Sequence, residues 1–422
     1  MSDINSLPPV GAPQQPAQSL GYDGAGGEIA KIALWNGFLT LITFGIFRFW
    51  AKTRMRRYVW SRFSFDGDRV EYTGTGGELF KGFLVASLLF LAFAFPLQIA
   101  IVFTGEETAL AGVLNLVFLM VILALVWLAG FFAHRYRLTR TRWRGIRGGM
   151  QAKIGRYFGL VLGYGLLTII TLGITYPLGS LARKRFLWNN SRFGTAAITC
   201  DAKVGRAWLP WLLQYGIWIA FLVFSFFVIF GQLTADAMSG DIDWEDRDSL
   251  STYFAGMGAA MVGWAIAYLF TIAVSTGCIV AYYLRELRQI LNGLSVAGVK
   301  VISTLKARTM LWRIVALAAI QTVALLVVMV VFTVVAGVSV GVGSGGGPDP
   351  SGVIIGAGVL AYIGIAVLSV VLVALFWTNP LYRTIAQTTV LMGAIDMAAV
   401  GQNTDALPTR GEGLMELFAI DG

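Results

Sequence analysis

Eight long apolar stretches constrain this chain more than any other feature. They run Ile29–Phe49, Leu79–Thr104, Leu110–Ala133, Tyr157–Leu178, Ala207–Gln232, Phe254–Leu284, Leu311–Val340 and Val353–Thr378. Each approaches or exceeds the roughly 20 apolar residues a helix needs to cross a bilayer core. Pro96 and several glycines fall inside them, which membrane helices tolerate when neighbours satisfy the freed backbone groups. Composition agrees: 57% of the residues are hydrophobic and 13% charged, against about 45–50% and 25% in a soluble domain. The expected fold class is an all-α polytopic membrane protein with internal repeats and short cytoplasmic β-hairpins between membrane helices.

The charges sort the connections. Seven Lys/Arg lie in Arg48–Tyr72, eight in residues 134–156, six in Arg183–Arg206 and six in Arg285–Arg313. The connection 233–252 is acidic instead, with Asp236, Asp241, Asp243, Glu245, Asp246 and Asp248. Basic connections stay on the cytoplasmic side, so 79–133, 207–284 and 311–379 read as three transmembrane hairpins with a cytoplasmic C-terminus. Tyr157–Leu178 has basic stretches on both sides. It is expected to enter and leave on one face as a re-entrant or interfacial hairpin, and Ile29–Phe49 is treated alike. The alternative is two further full spans. The net charge of +9 thus points to topology and anionic lipid; nucleic acid is not an expected partner, because no basic face separates from the membrane segments.

The expected division is a disordered Pro/Gly/Gln-rich leader at 1–27, one membrane domain at 28–400 and a tail at 401–422. The leader has neither the basic start nor the apolar core of a signal peptide. Within the membrane domain the repeat units fall at roughly 28–150, 151–294 and 295–400. Ile42-Thr43-Phe44-Gly45-Ile46 matches Ile170-Thr171-Leu172-Gly173-Ile174 at an offset of 128. The same offset places Lys184-Arg185-Phe186-Leu187-Trp188 on Arg56-Arg57-Tyr58-Val59-Trp60 and Phe193 on Phe65. An offset of 78 places Arg135-Tyr136 on Arg57-Tyr58 and Trp143 on Phe65. A weaker copy at Arg285–Val296 sets Asn292 against Asn190, and a fainter one surrounds Arg383. Strand signals lie beside these units. Phe63-Ser64-Phe65 and Val70–Thr73 flank an Asp-Gly turn, a strong hairpin signal. Ala197–Val204 and Leu294–Ser303 alternate in the same manner.

These motifs resemble the YjgN family of bacterial inner-membrane proteins. The carriers are Leu41–Trp60, Phe65-Asp66-Gly67, Tyr72-Thr73-Gly74, Gly76–Gly82, Thr141–Arg147 and Asn190–Gly194, spread over most of residues 25–395. The family is of unknown function. The resemblance therefore implies location in the bacterial inner membrane and a multi-pass architecture, and it transfers no catalytic residue.

Chemistry-bearing patterns are few. His134 is the single histidine, and Cys200 and Cys278 lack metal spacing, so no metal, cofactor or catalytic constellation is expected. Gly343–Gly347 lacks the strand and GK[ST] of a phosphate loop. Glu28 and Glu78 follow paired glycines and suit helix N-termini. The eight stretches are otherwise free of acids, which argues against proton-coupled transport. Arg48, Lys52, Arg56, Arg57, Arg135, Arg142, Arg144, Lys184 and Arg185, set among aromatics, are candidates for contacting anionic headgroups; anchoring of helix depth is the plainer role. Asn36, Gln98, Asn115, Gln214 and Gln321 are polar residues inside apolar runs, suited to interhelical hydrogen bonds or a polar passage. The expected function is a transporter or lipid-handling protein, with a non-transporting scaffold as the alternative. Membrane lipids are the expected partners.

Overall fold

A computed structural model describes residues 17–393 except 106, 240–246 and 344–350, together with 395, 397, 398 and 400–403. The acidic connection and the Gly343–Gly347 turn thus lie largely outside the described residues.

Four β-hairpins share one construction of three residues, a two-residue turn and five residues. They are β3 (Phe63–Phe65) with β4 (Asp68–Tyr72), β5 (Thr141–Trp143) with β6 (Ile146–Met150), β7 (Ser191–Phe193) with β8 (Ala196–Cys200), and β9 (Leu294–Val296) with β10 (Val299–Ser303). In three of them both turn residues have positive φ: Asp66 and Gly67, Arg144 and Gly145, Ala297 and Gly298. That is the type I′ geometry whose twist matches the flanking strands.

Short β-hairpins are the expectation, and the structure joins them further. They pair edge to edge into one 11-stranded antiparallel sheet. β11 (Thr389–Met392) extends it beside β10. The chain start then joins its two ends: β1 (Ala17–Ser19) pairs with β11 and β2 (Gly21–Tyr22) pairs with β3. Only Leu20 separates β1 from β2, so the sheet runs into a ring. Joining the ends removes the exposed edges that an open sheet would offer to other chains. Part of the segment expected as a leader is therefore structural.

Side chains alternate across each strand. One set, Phe65, Trp143, Val299 and Leu391, meets on the axis of the ring, with Leu20, Val70, Phe193, Val301, Ile395 and Met397 packed against it. Phe65 and Trp143 ring centroids are 5.0 Å apart, and those of Trp143 and Phe193 5.8 Å. Of the three aromatics aligned by sequence offset, Trp143 thus touches both Phe65 and Phe193.

Between successive hairpins the chain leaves the ring as one helix and returns as another. The pairs are α1 (Gly26–Ile42) with α2 (Arg48–Ser61), α3 (Gly76–Thr104) with α4 (Ala109–Arg140), and α5 (Ile154–Ile170) with α6 (Tyr176–Asn189). α7 (Trp208–Ser239) with α8 (Arg247–Gly293) follows, and then α9 (Ala307–Gly343) with α10 (Ser351–Val373), which a π-helical turn at Ala374–Thr378 joins to α11 (Asn379–Thr388). Thr75 caps α3, its hydroxyl accepting from the Glu78 N–H at 3.3 Å. Thr75 and Glu78 have the spacing of a capping box. Six helices among the described residues are long and apolar enough to cross a membrane: Gly76–Thr104, Ala109–Arg140, Gly205–Val228, Met261–Gly293, Ala307–Leu325 and Gly358–Thr388.

Ile29–Phe49 and Tyr157–Leu178 are each broken by a tight turn. In the first, Phe44 and Gly45 have φ of 49° and 88°; in the second, Leu172 and Gly173 have 50° and 91°. Gly45 N–H donates to the Thr40 carbonyl at 2.7 Å and Gly173 N–H to that of Thr168 at 2.6 Å. Both turns present apolar tips, Phe44 at 98% exposure and Leu172 at 83%.

Candidate functional site

The nine candidate cations are mostly occupied by the chain itself. Arg144 pairs with Asp66 at 2.8 Å and with Asp68, and its guanidinium lies over the Trp143 ring. Donating hydrogen bonds to Asp68 and Asp66 raises the Arg144 pKa further. Lys184 Nζ sits 2.9 Å from Glu286 Oε2. Arg57 donates to the Gly74 carbonyl at 3.1 Å. Arg56 is buried in α2, and Lys52 and Arg135 are half-buried. Arg142 is half-buried on β5, while Arg48 and Arg185 are exposed. These residues do not converge on one point. They sit at successive helix ends and strands around the ring.

The acids of the paired-glycine motifs hold arginines at the returning helix. Glu28 in the first turn of α1 meets Arg62 at 2.6 Å, just past the end of α2. Glu78 in the first turn of α3 meets Arg140, the last residue of α4, at 2.9 Å and also accepts from the Tyr136 hydroxyl. Both acids sit at helix N-termini as expected, and each closes its helical hairpin at the ring.

Glu286 is a site residue that the sequence does not mark. It lies two residues beyond the apolar stretch ending at Leu284, flanked by Arg285 and Arg288, which made that segment look like another basic connection. In the structure α8 continues through it, and Glu286 is 2% exposed. Its partner Lys184 reaches over from α6. Asn292 also has a different counterpart from the one the offset suggested. Asn292 Oδ1 accepts from Ser303 N–H and Asn189 Oδ1 from Cys200 N–H, both at 2.5 Å, so Asn189 and not Asn190 is its equivalent.

The five polar residues of the apolar runs do not meet. Asn36 is buried and donates to the Ala51 carbonyl of α2 at 3.1 Å. Gln98 and Asn115 are exposed on α3 and α4, and Gln214 is half-buried on α7. Gln321 alone lines a cavity of about 330 Å³ between α9 and α10, together with Thr322, Leu325, Ile365, Ser369 and Leu372.

Three aromatic donors of α7 close over the second broken segment. Trp208 Nε1 donates to the Ile174 carbonyl at 3.2 Å, Trp211 Nε1 to Gly173 at 3.1 Å and the Tyr215 hydroxyl to Leu172 at 2.8 Å. They tie the turn to α7 through its carbonyls, of which that of Gly173 also accepts from the Tyr176 N–H at 3.1 Å. Trp208 opens α7, so the turn meets only its first two turns, about 10 Å of rise.

His134 Nε2 is 2.9 Å from Ser191 Oγ and packs edge-on against Trp188, a structural setting. Cys200 and Cys278 are free and buried. Burial raises the Cys200 thiol above its ordinary pKa. No group of three or more potential metal ligands gathers among the described residues.

Over residues 17–417 the chain matches the family described as "Bacterial protein of unknown function (DUF898)". It is 25% identical over 344 residues to the inner membrane protein YjgN of Escherichia coli O157:H7, covering 72% of this chain and 82% of that protein. Against the inner membrane protein YjgN of Escherichia coli K12 the identity is 23% over 295 residues, covering 62% and 71%. No solved structure matches significantly.

Proposed function

Since the chain belongs to the DUF898 family of bacterial proteins and is similar to inner membrane proteins, we propose that it is a multi-pass inner-membrane protein that handles lipid. The observation carrying this reading is the α9–α10 groove, apolar along most of its wall with Gln321, Thr322 and Ser369 as its polar part. An acyl chain fits such a wall, and the amide and hydroxyls suit the polar group of the same molecule. Filling the groove with Ala318→Trp or Ala324→Trp tests it. The lipid that copurifies with the wild-type chain, read by native mass spectrometry, is then lost. An unchanged lipid complement in both variants contradicts the reading.

In this reading the sheet ring and the C-terminus face the cytoplasm, where the basic connections belong. The helical hairpins α1–α2 and α5–α6 are re-entrant. Two features support that: their helices, of 17 and 14 residues in each pair, fall short of the roughly 20 a crossing needs, and the α5–α6 tip reaches only the first turns of α7. The recurring hairpin, outgoing helix and returning helix are then one unit repeated around the ring. A docking scaffold is the second reading. It draws on the exposed Arg48 and Arg185, since Arg57, Arg140, Arg144 and Lys184 are paired within the chain.

A further inference from the structure

We propose that the outer face of β5, β6 and β7 is a binding site for a phosphate-bearing anion, held by Arg142, Arg147 and Arg192. It is independent of the α9–α10 groove. Arg142 stands directly opposite Arg147 in the β5–β6 pair. Arg192 stands opposite Gly149, two residues along β6 from Arg147. Directly paired residues share a face of the sheet, and so do residues two apart. The three guanidinium groups therefore occupy one side, while Trp143 and Phe193 point to the axis.

Directly opposed residues have Cβ atoms about 4.5–5.5 Å apart, diagonal neighbours about 7–8 Å, and like charges so placed repel. Glu71, in register with Arg142 on β4, is the one acid among these paired positions, and no ion pair joins the two among the described residues. Gly149 contributes no side chain, which leaves room between Arg192 and the other two. All three arginines are half-buried. Arg147 is oriented by its Nε, which donates to the Asn403 carbonyl at 2.9 Å. Arg142 and Arg192 make no side-chain hydrogen bond or ion pair with the described residues. Guanidinium groups carry five donors in a planar fork that fits phosphate oxygens bidentately. A dianionic phosphate placed beside them offsets the repulsion and meets the donors of Arg142 and Arg192, while Arg147, held by the chain, adds its positive charge. The source is either a soluble phosphate or the headgroup of an anionic lipid, since this face adjoins the ends of α4 and α6.

The test uses the full chain in detergent, with inorganic phosphate or pyrophosphate titrated at constant ionic strength and followed by calorimetry and thermal unfolding. A second arm uses nanodiscs of phosphatidylglycerol against phosphatidylcholine. Specific binding in the first arm identifies a soluble ligand, and binding only in the second identifies a headgroup. Arg142→Gln with Arg192→Gln lowers the affinity about tenfold or more, and in phosphate-free buffer it is at least as stable as wild type because opposed charges are gone. Should that variant fail to fold, Arg142→Lys with Arg192→Lys carries the test: it keeps the charge but loses the fork and binds several-fold more weakly. No phosphate-specific binding in either arm, or unchanged affinity in the variants, overturns the proposal.

Discussion

Lys184 on α6 reaches Glu286 on α8, its Nζ 2.9 Å from Oε2, and Glu286 is 2% exposed. The pair joins a helix of one helical hairpin to a helix of the next. Lys184 is partly open to solvent and also lies over the Tyr283 ring, so the lysine is wet on one side while the carboxylate is enclosed. Removing the lysine leaves a buried charge without compensation. Lys184→Met is expected to destabilise by about 2–3 kcal/mol, less than a fully buried pair because of that exposure. Adding Glu286→Gln restores most of the loss. Denaturant unfolding in detergent measures both, and a neutral Lys184→Met would show that the pair does not hold α6 to α8.

Acid sensitivity follows from Asp23. Its carboxyl is held below the usual range by the hydrogen bond from Arg69, with Arg62 adding to the effect. A carboxylate whose folded pKa is depressed contributes stability above its unfolded pKa, near 3.9, and loses that contribution as pH falls through the folded value. Asp23→Asn is therefore expected to unfold at a slightly lower temperature than wild type at pH 6–8. The gap closes below about pH 4. The effect is small because the pair is exposed. A gap that does not narrow as the pH falls below about 4 contradicts the assignment.

The α5–α6 turn tests depth in the membrane. Reporters fused after residue 150 and after Arg206 are expected to read the same side. Tyr215→Phe withdraws the donor from the Leu172 carbonyl and is expected to cost about 1 kcal/mol. Opposite reporter readings would make α5–α6 a full crossing.

The segment after β11 returns across the mouth of the ring. Thr195 N–H donates to the Gly401 carbonyl at 3.1 Å, and Gln402 Nε2 donates to Gly145 at 2.9 Å. Gly194 has φ of 55°, and a Cβ there would strike the Gly401 carbonyl. Gly194→Ala is expected to cost about 1–2 kcal/mol and to speed amide exchange at Gly401. Unchanged exchange at Gly401 would show that the segment is held elsewhere.

Much of the local structure could be read from residues. The Asp66-Gly67 turn with alternating Phe63, Phe65 and Val70 marked one hairpin. The offsets picked out Phe65, Trp143 and Phe193, which the fold brings together on the axis. The hairpin at 141–150 escaped because its strands carry Arg142, Arg147, Gly148 and Gly149, a composition poor in strand formers. Gly148 is required there: a Cβ would lie 2.6 Å from the Leu138 carbonyl. The ring itself was not legible. Alternation tells which face of a strand is buried, but not its partner, and the closing pairs join Ala17 to Met392 and Gly21 to Ser64. Glu286 was hidden by its arginine neighbours, and the internal pairing of Arg144 and Lys184 depended on contacts between distant elements.

Closure of the sheet by the chain start is tested most directly by cysteine pairs on either side of Leu20. In a Cys200→Ala, Cys278→Ala background, one variant carries Ser19→Cys with Val390→Cys and another Gly21→Cys with Ser64→Cys, both register partners. Such partners lie within disulfide reach. Mild oxidation in native membranes is expected to cross-link both pairs nearly completely. Cross-linking on one side only, or on neither, would mean that the sheet is open.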